Sequence, residues 1–184
     1  MDVYEAIHTR RDIITFAPEA PPREVVARLI EAATWAPNHL LTEPWRFHVL
    51  AGDRRELMAA EIASWLAGKG ERDARAASAR GKIMRAPVTI FLSQVGSPDN
   101  PVRELEDYCA CSAALQNLLL AAHAEGLIAH VSTDRMIGYD VTKRYLGLES
   151  HDRVVAMVHL GTIGAGATPK QGARRPAIVN WDWA

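Results

Sequence analysis

The sequence predicts an α+β fold, on three observations. Strand-like and helix-like runs do not alternate regularly along the chain, which disfavours a doubly wound sheet. Residues Tyr108–Ala124 are apolar on nearly every helical face, the mark of a helix covered on several sides. Arg153–Leu160 is apolar on both faces of an extended run, the mark of a central strand. The 184 residues fit a single domain, 1–184. A chain of this size buries roughly 70% of its unfolded surface, enough for a core without staples.

Taken in order, Val3 and Ile7 suggest a short opening helix that ends near Arg10-Arg11, and Ile13, Ile14 and Phe16 then read as extended. Pro21-Pro22 opens a second helix, since proline is tolerated where the N–H has no helical partner. Val25, Leu29, Ile30 and Ala33 form its apolar face, and Pro37 stops it. Phe47–Leu50 is a short strand, and Asp53 with Glu56 resembles a capping box for a helix through about Leu66. Residues 69–85 carry Lys69, Arg72, Arg75, Arg80, Lys82 and Arg85, and read as a surface helix or a lid. Val88–Ser93 is a β-branched strand, and the turn-rich Gly96–Pro101 leads into a long helix over about 102–125, stopped by Gly126. Leu127–Val131 is a short extended run, Val141–Leu146 is helical and Gly147 ends it. The tail from Gly161 is rich in Gly, Pro and Arg. Its end carries Ile178, Val179, Trp181 and Trp183, too apolar to be simply disordered, and it is expected to wrap something.

Composition narrows the function. A net charge of −1 and a pI near 6.7 give no electrostatic case for nucleic acid or an anionic membrane. No stretch reaches the roughly 18 apolar residues that span a bilayer, and the opening, with two acids and no apolar run, reads as no signal peptide. Cys109 and Cys111 lie two apart on a helix and point to different sides, so neither a disulfide nor a shared metal is expected. A reducing, cytoplasmic setting is the simplest reading.

Two stretches could carry chemistry. Arg10 and Arg11 sit where helix gives way to extended chain, and two adjacent guanidinium forks can hold a phosphate and a polarised carbonyl together. On the pair alone, the commoner reading is two solvated arginines at a helix C-terminus. The stretch Trp35–Phe47 places Asn38 and His39 in a polar loop braced by Trp35 and Trp45. A flat heteroaromatic ligand needs such apolar walls with a few placed donors, although a helix–strand loop with core tryptophans fits equally well.

Set in order, Arg10-Arg11 followed by Phe16, then W-A-P-N-H…E-P-W-R-F, then A-A-H-A-E-G-L, resemble the nitroreductase family over essentially the whole chain. The small members with A-P-[ND]-H in that loop are the most similar. The resemblance implies a nitroreductase-like fold: a mainly antiparallel central sheet flanked by helices, in an intertwined homodimer with FMN at the subunit interface. It implies hydride transfer from NAD(P)H through flavin N5 to a small-molecule acceptor such as a nitroaromatic or a quinone, with no protein acid or base assigned. By the same resemblance, Arg10 and Arg11 contact the phosphate and the N1–O2 edge of the flavin, and Asp12, the next residue, belongs to the same cofactor site. Trp35 and His39 touch flavin in the partner's site, Val131, Ser132 and Thr133 line the ring, and Arg174 or Arg175 reaches the phosphate. The chain departs from the family pattern at Asp12 (usually Ser), His39 (usually Asn) and Glu43 (usually Gln). A flavin carrier or sensor without turnover, and a same-fold reductase acting on halides or enones, stay open. Gly161–Gly166 reads G-x-x-G-x-G, the reverse of a dinucleotide fingerprint and without room for a βαβ unit. Seven scattered histidines show no metal-ligand spacing. The basic stretch 69–85 is a solvated face or, in a second reading, approaches the phosphates of a nicotinamide donor.

Overall fold

The computed structural model describes residues 1–169 and 172–183. Four strands form one antiparallel sheet in the order β1-β2-β4-β3: β1 (Trp45–Ala51), β2 (Val88–Gln94), β3 (Ile128–Ser132) and β4 (Arg153–Gly161). β2 and β4 are the inner strands, which is why both are buried along nearly their whole length and read as continuous apolar runs. The expected α+β class and antiparallel sheet are both present.

Each face of the sheet carries helices. Ile90, Leu92, Val158 and Leu160 point to the face covered by α2 (Arg23–Thr34) and α5 (Pro101–Ala124). Phe91 and Met157 point to the other face, covered by α3 (Asp53–Gly68), α4 (Asp73–Ile83) and α6 (Asp140–Tyr145). Strand alternation divides the core into these two layers. A register shift between Leu92 and Ser93 against β4 reverses the alternation along that strand, so Val155 joins the layer of Val158 and Leu160, and Val154 joins that of Met157.

α5 ends where the sequence places its end. Gly126 takes φ 76°, open to glycine without strain, and the Leu127 N–H donates to the Ala122 carbonyl at 2.8 Å, closing the helix. Helix boundaries otherwise fall within a few residues of expectation, with one correction. Asp53 is not an N-cap: Gly52 is, at φ 54°, without a side-chain cap bond, and Asp53 is the first helical residue. The 69–85 stretch is resolved as helix α4, with Arg72 at its N-cap. Ile13–Phe16 is not a strand: it makes one bridge, Phe16 to Ile163. No described helix is long and apolar enough to cross a membrane.

Candidate functional site

α1 (Val3–Thr9) is capped by Asp2, whose carboxylate accepts from the Glu5 N–H at 2.8 Å. Its C-cap is Arg10, where the chain turns to extended backbone. Past that turn, Gly164 holds the chain in place: its N–H donates to the Thr15 carbonyl at 3.0 Å, and a Cβ there would lie 2.9 Å from the Phe16 backbone. The glycine-rich run after β4 therefore pins the segment carrying Arg10, Arg11 and Asp12 against the sheet. That close approach accounts for the glycine at position 164.

Arg10 and Arg11 are half-buried and line a cleft of about 330 Å³. Ile13, Leu119, Leu127, Ile128 and Ile163 give the cleft apolar walls. The Arg11 guanidinium donates to the His8 carbonyl at 2.6 Å and to the Arg10 carbonyl at 2.9 Å, which fixes one end of its fork. Thr9 and His123 tie α1 to the C-terminal end of α5 through a 2.8 Å hydrogen bond. An anionic group with an apolar ring attached fits this donor set, since the guanidinium charge lies beside hydrocarbon.

Asp12 does not face the solvent alone. Both of its oxygens lie 2.9 Å from Nδ1 of His130 on β3. The His130 ring stacks on that of His159 on β4, with centroids 5.6 Å apart and planes within 9°. His159 is fully buried, and neither ring nitrogen has a hydrogen-bond partner among the described residues. Burial, with Arg85 and then His130 adding positive charge nearby, pushes its imidazole down to about 3, so it is neutral at any ordinary pH. Sequence reading missed both histidines. The available signal was a polar residue inside the short run Leu127–Val131, at the position whose alternation points away from Ala129 and Val131. Val131 and Ser132 are half-buried on the same strand and Thr133 is exposed just beyond it.

The second stretch lies elsewhere in the chain. Trp35, the C-cap of α2, is 78% exposed, and its indole N–H donates to Glu31 at 2.8 Å. His39 opens a 3-10 turn (His39–Leu41), is mostly exposed and meets Glu106 of α5 at 3.0 Å. Trp45, by contrast, is core. Leu40, Leu41 and Glu43 all take positive φ (57°, 50° and 43°), a conformation that costs residues with side chains of order 1 kcal/mol each. The loop is held in it by the Thr42 hydroxyl donating to buried Asp107 at 2.6 Å, and by the Glu43 N–H donating to the Asn38 side chain at 3.0 Å. It borders a cleft of about 460 Å³ with Leu105, Cys109 and Ala113 of α5.

The structure thus brings together Arg10, Arg11, Asp12 and the strand carrying Val131 and Ser132. It does not bring Trp35 and His39 to them. His39 meets α5 at Glu106 and the arginine cleft meets it at His123, a separation of 17 residues or about 25 Å of helix. Arg174 and Arg175 are exposed in a tail without regular structure, and neither lines the arginine cleft. On the far side of the sheet, α4 and the 3-10 turn Arg135–Gly138 enclose a charged cleft of about 440 Å³. In it Lys82 pairs with Asp134. Burial by itself would raise the Asp134 carboxyl. The Lys82 ammonium, the Met136 N–H and Arg135 outweigh that and hold it below the usual carboxylate range.

Residues 7–162 match the family model described as the Nitroreductase family. The Escherichia coli K12 protein named "Putative NAD(P)H nitroreductase YdjA" is 26% identical over 162 residues, 88% of each chain. A nitroreductase-like family protein from Bacillus cereus superposes with a TM-score of 0.81 at 26% identity, over 96% of this chain and 92% of that one. A Desulfovibrio desulfuricans protein, solved as a "putative nitroreductase in complex with FMN", is 31% identical with a TM-score of 0.69, over 96% and 92% of the two chains. With 156 of its 184 residues inside the family match and the same α+β architecture, the chain belongs to the nitroreductase family.

Proposed function

We propose that this chain, acting as one domain over residues 1–184, is an FMN-dependent oxidoreductase that takes electrons from NAD(P)H and delivers them to a small-molecule acceptor, a nitroaromatic, a quinone or a similar compound. The observation that carries the reading is the Arg10–Arg11 cleft: two guanidinium groups against an apolar wall, in a member of a family with an FMN-bound relative. FMN, when bound, supplies two-electron hydride chemistry that no side chain offers. The chain's own residues then bind and orient. Arg10 and Arg11 would hold the phosphate and the electron-rich edge of the ring, where their fixed positive charge would offset negative charge. Val131, Ser132 and Thr133 line the ring. No acid or base of the protein is assigned to the acceptor's protons, which water can supply.

The site is completed by a second copy of the chain. Within one chain the two halves lie about 25 Å apart along α5. A two-fold partner whose α5 runs antiparallel sets Trp35 and His39 of one copy beside Arg10 and Arg11 of the other. Three exposed apolar features support such an intertwined homodimer. Val3, Tyr4 and Ile7 lie on α1, Val102 and Leu105 on α5, and the tail carries Ile178, Trp181 and Trp183, exposed by 99%, 74% and 81%. An apolar groove of about 840 Å³ between α2 and edge strand β1 is a seat for such a tail, which also carries Arg174 and Arg175 toward a phosphate. The free thiols Cys109 and Cys111 suit a reducing, cytoplasmic setting.

The test is the visible absorption of the purified protein, followed by anaerobic bleaching with NADH and with NADPH. Flavin absorption that either donor bleaches is expected. A colourless protein that gains no thermal stability from added FMN overturns the reading, because a ligand of the folded state must stabilise it.

A further inference from the structure

The charged cleft between α4 and the turn Arg135–Gly138 is not used by the site above. Four cations line it, Arg72, Arg75, Lys82 and Arg135, against two acids, Glu71 and Asp134. The chain as a whole carries a net charge of −1, so this excess is local. The four cations are not alike. Arg75 is fixed by Glu71 and by the Tyr139 hydroxyl at 2.9 Å, with its guanidinium 6.0 Å from the Tyr139 ring centre, and that ring packs on Trp65. Lys82 is fixed by Asp134, whose other oxygen accepts from the Met136 N–H at 3.1 Å. These pairs make a rigid floor. Arg72, at the N-cap of α4, and Arg135 make no side-chain hydrogen bond or ion pair among the described residues. Two uncommitted guanidinium groups above a rigid charged floor are suited to an oxyanion that takes forked hydrogen bonds. The fixed floor lowers the ordering cost of binding one.

The position of the cleft says which oxyanion. Asp134 lines it, and the preceding three residues are Val131, Ser132 and Thr133. β3 is an edge strand and runs through Thr133 directly into Asp134 and Arg135, so a donor whose nicotinamide stacks on a ring lined by Val131, Ser132 and Thr133 can carry its diphosphate around that edge into the cleft. We infer that this cleft binds the diphosphate of the NAD(P)H donor, with Arg72 and Arg135 as the phosphate-contacting residues. The inference rests on the oxidoreductase reading for the identity of the ligand. The alternative is a solvated ion-pair network that happens to enclose space.

The experiment compares FMN-loaded wild type with Arg72→Ala, Arg135→Ala, the double variant, and Arg144→Ala as a control for net charge at an exposed α6 position. Anaerobic stopped-flow reduction gives the donor's dissociation constant and the limiting rate. ADP, a diphosphate without nicotinamide, is the competing probe. Each single variant is expected to weaken NADH and NADPH binding by about tenfold, equal to about 1.4 kcal/mol, with the limiting rate within about twofold. ADP should compete in wild type and fail to do so in the double variant, and its binding should weaken as salt rises. FMN and riboflavin affinities should not change. A double variant whose donor affinity matches that of Arg144→Ala overturns the inference. So does a double variant that loses affinity for FMN but not for riboflavin, since the cleft would then serve the flavin's own phosphate. Protein that takes up no FMN sinks the oxidoreductase reading first. ADP titrated calorimetrically into that protein still decides the cleft: heat that disappears in the double variant supports an anion site, and no heat in wild type overturns it.

Discussion

Replacing His159 with leucine tests the strangest group in the core. The residue sits in a cross-strand row with Thr89 on β2 and His130 on β3, fully buried, with both ring nitrogens unpartnered among the described residues. The unfolded imidazole titrates near 6.5 and the folded one near 3. For a base whose folded value is depressed, the unfolded chain takes the proton first as pH falls. The stability contribution is therefore intact above about pH 6.5 and is lost progressively between there and about pH 3. One proton corresponds to about 1.4 kcal/mol per pH unit, so wild type loses about 2 kcal/mol from this residue between pH 6.5 and 5. Leucine has nothing to protonate. It also relieves an unpaired donor and an unpaired acceptor, each costing about 1–3 kcal/mol when buried, so the variant should be at least as stable as wild type at pH 8. Urea unfolding followed by tryptophan fluorescence, at one protein concentration and from pH 8 to 5, measures both statements. The gap between variant and wild type should widen by about 2 kcal/mol toward pH 5. Parallel pH profiles would show that His159 is not buried neutral, and a variant much weaker at pH 8 would show that its nitrogens are partnered after all.

Arg11→Ala is expected to weaken FMN by about tenfold or more, the size of one charge-assisted hydrogen bond, and to slow flavin reduction. Unchanged flavin fluorescence quenching and an unchanged reduction rate refute the assignment. Trp35→Ala removes a largely exposed side chain whose one hydrogen bond among the described residues goes to Glu31. Its circular dichroism should therefore stay native while FMN affinity falls, and unaltered affinity argues against a shared site. Deleting residues 177–184 should shift sedimentation from dimer toward monomer, and a truncated protein that stays fully dimeric removes the tail from the interface. Burial, with Asp107 nearby, pushes the Cys111 thiol up to about 12, so native Cys109→Ser protein should take up no iodoacetamide at pH 8 by mass measurement.

What the sequence made legible follows from what local physics encodes. β2 and β4 declared themselves because an inner strand with both faces covered must be apolar at consecutive positions, and Val88–Ser93 and Arg153–Leu160 are. The end of α5 was legible because only a residue without a side chain takes φ 76° freely, and Gly126 stands there. The capping box failed for an equally local reason. Asp53 and Glu56 have the right spacing, but Gly52 turns the chain at positive φ one residue earlier and moves the helix start.

The candidate site divides along a different line. Arg10, Arg11 and the loop at Trp35–Phe47 were visible as motifs, because each is a contiguous string with its own chemistry. In the sequence Asp12 is only a departure from the usual Ser, an acid beside the two arginines proposed to hold the phosphate. Its meaning depends on His130, 118 residues away, and that pairing exists only because β3 lies at the edge of the sheet beside the N-terminal segment. The consequence reaches the cofactor. Bare, the Asp12 carboxylate repels a phosphate held at Arg10. With Nδ1 of His130 between its oxygens, its charge is partly spent inside the chain. Replacing His130 with alanine should therefore weaken FMN more than riboflavin, because the uncovered carboxylate then acts on the phosphate and not on the ring. Equal losses for the two flavins would mean that the pair only braces β3.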